Sequence, residues 1–71
     1  SSYEFTEREL EVLREMTGGD TNQEIAERLH ISVATVKSHI LSMLEKTGFR
    51  NRTELAVRAR ESGLVILNRR N

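Results

Sequence analysis

Thr6–Glu9, Thr21–Glu24 and Asn51–Glu54 share one pattern. Each is a short polar residue, then a glutamate three positions on, then an apolar residue: Leu10, Ile25 or Leu55. This is the capping box. The first side chain accepts from the backbone N–H of the third helical residue, and the glutamate reaches back to the N–H of the cap. Each occurrence predicts a helix start. Gly18-Gly19, Gly48 and Gly63 stand where those helices would stop. Proline is absent. Starts and stops this close leave room for short helices and tight turns, and none for a sheet. The expected fold class is all-α, a compact four-helix bundle built as one domain over residues 1–71.

The first helix is expected to follow the Thr6 cap, with Phe5 and Leu10 at the staple positions on either side of it. Leu10 and Leu13, with Val12 or Met16, would supply its buried stripe. Thr21 caps the second helix, which turns Ile25, Ala26 and Leu29 inward and ends near Leu29 or His30. Ser32 caps the third, and Ile31 can staple to Val36 across that cap. This helix should run from Val33 to about Thr47 and stop at Gly48 in the left-handed region. The fourth, capped by Asn51, offers Leu55, Ala56 and Ala59 for packing. Residues 64–71 are apolar and then basic, and are expected to dock briefly and fray.

Several classes of function are excluded by composition. There is no cysteine, hence no disulfide and no thiolate metal site. His30 and His39 stand without carboxylates at ligand spacing, so no metal or cofactor is expected. No nucleophile–base pairing or phosphate loop is visible, which argues against an enzyme. No run approaches the ~20 apolar residues of a membrane span, and no signal peptide opens the chain. These features suit the cytoplasm, and an opening Ser in place of Met suggests one piece of a longer protein.

The formal net charge is zero, yet the charges are sorted along the chain. Residues 1–30 hold eight acids and three bases; residues 31–71 hold three acids and eight bases. The basic half suits a polyanion.

Only about three residues separate the second and third helices, which forces a corner: the helix-turn-helix arrangement. Ala26 suits a close crossing of the two. Many such turns carry glycine where this chain has His30; either His30 takes a positive φ, which histidine tolerates, or the turn is built differently. On a wheel of about 100° per residue, Val33, Val36, Ile40, Met43, Leu44 and Thr47 gather on one side of the third helix. Ala34, Lys37, Ser38, Leu41, Ser42 and Glu45 gather on the other, and Thr35, His39 and Lys46 share a flank. A helix that enters the DNA major groove needs such an outer face, small and polar near its start. Lys37 is placed to donate to guanine, Ser38 can donate or accept, and Leu41 can touch only an apolar edge such as a thymine methyl. Thr35, His39 and Lys46 are candidate phosphate contacts. So are the helix starts at Thr21 and at Arg52 and Thr53.

The stretches "FTERELEVL", "TNQEIAERLHISVATVKSHI" and "RNRTELA" resemble the LuxR-type helix-turn-helix, also called the FixJ/NarL type, over roughly Phe5 to Leu64. The resemblance implies a four-helix DNA-binding domain, usually C-terminal in a bacterial response regulator of a two-component system or in a quorum-sensing regulator. It implies homodimers joined through the fourth helix, here around Val57, Arg58 and Glu61. It also implies an upstream receiver or ligand-sensing domain, and base contacts at Lys37 and Ser38, often with Ala34 and Leu41. Three positions depart from the family pattern: Gln23 where Lys is common, Leu41 where a polar or basic residue is frequent, and Thr47 where Leu is usual.

Some readings remain paired. His39 is a phosphate contact or a structural edge residue. Arg52 holds a phosphate or pairs with Glu54 or Glu45. The outer side of the fourth helix is a dimer surface or plain surface. The whole domain either reads double-stranded DNA, with an inverted-repeat site as the expected target, or is a protein-interaction module of the same fold.

Overall fold

The computed structural model describes residues 4–63, which form four α-helices: α1 (Glu7–Thr17), α2 (Asn22–Leu29), α3 (Val33–Thr47) and α4 (Arg52–Glu61). Residues 64–71, expected to dock and fray, lie outside the described residues. No described helix is long and apolar enough to cross a membrane.

Two of the three capping boxes form in full. Thr6 accepts from Glu9 N–H at 3.1 Å and its own N–H donates to Glu9 Oε1 at 2.9 Å. Thr21 and Glu24 repeat this at 3.2 and 2.8 Å. The third is only half a box. Asn51 accepts from Glu54 N–H, but the Glu54 carboxylate takes the N–H of Arg50, one residue earlier, at 2.8 Å. Asn51 is more extended than the other caps, at φ −160°, and Arg50 adds its guanidinium to the same carboxylate. Ser32 caps α3 without a glutamate, its Oγ accepting from Thr35 N–H at 3.0 Å.

The corner between α2 and α3 is closed by His30 in the left-handed region, at φ 60° and ψ 44°. That settles the turn: histidine stands in the conformation that glycine more often supplies. Gly48 stops α3 at φ 78°. Thr47, where a leucine was the usual residue, uses its hydroxyl in that stop, donating to Leu44 O and accepting from Phe49 N–H.

The core is assembled from all four helices: Val12, Leu13 and Met16 of α1, Ile25 and Ala26 of α2, Val36, Ile40 and Met43 of α3, and Leu55 and Ala59 of α4. Phe5, Leu29, Ile31, Leu44, Phe49 and Ala56 pack against it, partly buried. Two expectations about the stripes fail. The α1 stripe runs through 9, 12, 13 and 16, so Leu10 falls on its flank and is only half-buried, while Glu9 takes the inward position. Val33 shares the helical phase of Val36 and Ile40, yet it is 36% exposed. It lies in the first turn of α3, where an open groove between the starts of α2 and α4 runs past it.

Candidate nucleic-acid interface

Burial of Val36, Ile40 and Met43 fixes the rotation of α3 about its axis. Fully burying side chains of this size contributes about 1.5–3 kcal/mol each. The opposite edge is thereby turned outward: Ala34, Lys37, Ser38 and Leu41 are all exposed. Lys37 is held by no ion pair among the described residues. A positive donor, a hydroxyl and an apolar tip thus stand on one edge, free of the core.

The flank behaves differently. Thr35 is half-buried, and its Oγ1 lies 2.9 Å from the Ser32 cap oxygen. His39 is half-buried as well. Lys46 is drawn away to α1: its Nζ donates to Glu9 Oε1 at 2.7 Å and to Glu4 O at 2.9 Å, and stands 5.9 Å from the centre of the Phe5 ring. Ser42 was placed on the outer face, but its hydroxyl also turns to Glu9, donating to Oε2 at 2.7 Å. Glu9 is 3% exposed. Burial alone would raise its pKa; the bonds from Lys46, Ser42 and the Thr6 backbone outweigh burial and hold it below the ordinary value. The signal for this centre was present in the sequence. An acid at the phase of Val12, Leu13 and Met16 must face the core, and a buried carboxylate needs a cation.

The helix starts converge. Thr21, Arg52, Thr53 and Val33 line one open groove where the first turns of α2 and α4 meet. Arg52 pairs with neither Glu54 nor Glu45. Its guanidinium bonds the Asn22 side chain and, at 3.3 Å, the carbonyl of Asp20. It thereby ties the start of α4 to the start of α2, a partnership that no local pattern announced. Val57, assigned to the dimer surface, opens on this same groove and is 46% exposed. Arg58 stacks over the Phe49 ring, 5.6 Å from its centre, with Glu54 at 3.8 Å. Glu61 is exposed in the last turn of α4. Next to the groove, Arg28 bridges Glu15 at 3.5 Å and Asp20, itself a groove residue, at 3.0 Å. Burial and the neighbouring Asp20 carboxylate nevertheless raise the Glu15 pKa.

With the corner, the core-anchored third helix and its exposed basic edge in place, comparison with known proteins is decisive. The family model of bacterial regulatory proteins, luxR family, matches residues 3–59. The chain belongs to this family. Membership makes it a DNA-binding helix-turn-helix domain of the transcriptional-regulator type. LiaR, a transcriptional regulatory protein of Bacillus subtilis (strain 168), is 47% identical over 61 residues, 86% of this chain and 29% of the relative. YxjL of the same organism, an uncharacterized transcriptional regulatory protein, is 46% identical over 61 residues, 86% of this chain and 28% of its own length. The response regulator protein VraR of Staphylococcus aureus (strain NCTC 8325 / PS 47) is 40% identical over 61 residues, with 86% and 29% covered. The luxR-family domain described here thus spans less than a third of the length of these relatives.

Proposed function

We propose that this domain binds double-stranded DNA sequence-specifically by laying the outer edge of α3 in the major groove. It would act in the cytoplasm as the output domain of a bacterial transcriptional regulator, in a response regulator or a quorum-sensing type of protein. One observation carries the reading: Ala34, Lys37, Ser38 and Leu41 are exposed along the edge opposite the buried Val36, Ile40 and Met43. Lys37 donates to guanine O6 or N7, and Ser38 bonds a neighbouring base edge. Thr21, Arg52 and Thr53, gathered at the groove between helix starts, hold backbone phosphates, with Thr35 and His39 at the flank. In this reading Lys46, its ammonium bound to Glu9, anchors α3 to α1 in place of holding a phosphate. The full regulator pairs through α4, around Val57, Arg58 and Glu61, on an inverted repeat. An upstream receiver or ligand-sensing domain controls that pairing.

The test is selection of duplexes from a random library, followed by affinity measurements on the preferred one. Lys37→Ala should cost about 1–3 kcal/mol there and flatten discrimination at one base pair. Equal weakening on every duplex would remove Lys37 from the base-reading role. A second reading, a protein-interaction module of this fold, draws support from the engagement of Lys46 inside the protein. Binding that ignores salt would favour that reading.

A further inference from the structure

Leu41 is 66% exposed, against 36% for Val33 and 46% for Val57. It stands four residues beyond Lys37, so the two share one stripe of α3 with about 6 Å of helix rise between them. Its neighbours on that face are Ala34, Lys37, Ser38 and Glu45, none of them a large apolar residue. Leu41 is no part of the core cluster. The side chain offers water an apolar surface whose removal from water is favourable, and it has neither donor nor acceptor. Set against amino or carbonyl groups of a base edge, it would strip their waters and return no hydrogen bond, a net loss. One apolar feature exists on the major-groove edges of the bases: the methyl group at C5 of thymine. A cytosine methylated at C5 presents the same group at the same place, and cytosine and uracil do not.

We infer that Leu41 makes this domain a reader of a pyrimidine C5-methyl group, one turn of α3 beyond the base pair met by Lys37. The inference rests on the major-groove reading proposed above. It adds a chemical criterion that a hydrogen-bond code does not contain. At this one position the domain distinguishes methylated from unmethylated pyrimidine, so thymine and 5-methylcytosine are both accepted. Cytosine methylation there strengthens binding.

The test uses the 71-residue chain and its Leu41→Ala variant. Alanine is a good helix former at an exposed position, and circular dichroism verifies the fold. In the preferred duplex each thymine is replaced in turn by uracil, and each cytosine by 5-methylcytosine, with equilibrium binding measured at fixed salt. In each half-site one position should respond. Loss of its methyl weakens the wild-type domain about fourfold, the size expected for one buried methyl-sized group. If cytosine occupies that position, methylation strengthens binding by a similar factor. Leu41→Ala should abolish the response and leave the others unchanged. Indifference to methyl groups at every position, or equal sensitivity in Leu41→Ala, overturns the inference while the DNA reading stands. A selection that returns no preferred duplex overturns the DNA reading and this inference with it.

Discussion

Glu9 lies in phase with Val12, Leu13 and Met16 and is as buried as they are, so its charge is answered from inside the protein by Lys46 and Ser42. Removing Lys46 leaves a carboxylate with its burial penalty and fewer bonds. Lys46→Ala is expected to destabilise the domain by about 1–3 kcal/mol, read as a lower urea midpoint. The pH dependence follows from direction. The folded pKa of Glu9 lies below its unfolded value, so its stabilisation is present above the unfolded value and lost as pH falls through the folded one. Glu15 runs the other way: its raised pKa gives a contribution present below the unfolded value and lost as pH rises through the folded one. In Lys46→Ala burial dominates at Glu9 and lifts its folded pKa above the unfolded value, so Glu9 no longer adds to the acid loss of stability. The deficit against the wild type should be largest near neutral pH and narrow as pH falls. Urea melts from about pH 3 to about pH 7 check this. At this scale the sequence was legible for Lys37, whose neighbours in phase are unambiguous. Less legible were the half-burial of Leu10 and the turn of Ser42 and Lys46 toward Glu9, because a capping role already accounts for a glutamate at position 9.

Among the elements, boundaries were the most legible feature, since caps and stops are local chemistry. Thr6, Thr21, Ser32 and Asn51 each cap a helix, and Gly48 ends α3 as its position suggested. What local chemistry does not encode is how far a neighbouring helix reaches. Val33 has the phase of a core residue, but the partner surface that would cover it opens into a groove. Likewise Glu54 had two N–H groups within reach, and spacing alone selected the wrong one. The corner itself depends on His30 at φ 60°. His30→Val places a β-branched side chain in the left-handed region and should destabilise by about 1–3 kcal/mol. His30→Gly removes the strain but loosens the unfolded chain, and should shift stability by no more than about 1 kcal/mol. Urea midpoints of the two variants, read side by side, separate backbone strain from any side-chain role of the histidine.

Across the whole molecule the acidic first half and the basic second half fold together, so summed charge says little about what one face presents. If α3 and the helix starts meet DNA, affinity should fall with salt along a log–log line of slope about −0.9 per phosphate neutralised. Lys46→Ala should leave that slope unchanged once its folded fraction is corrected for, because the Lys46 ammonium is bound to Glu9 and the Glu4 carbonyl. A slope lowered by about one would return Lys46 to the phosphate set. The same contacts have a mechanical side. Lys46 lies in the last turn of α3, and Glu4 lies in the extended segment just ahead of α1. One ammonium thus pins both the segment ahead of α1 and α1 itself to the tail of α3, so a displacement of the backbone at Glu4 cannot leave the end of the helix proposed to meet DNA untouched unless this clasp opens.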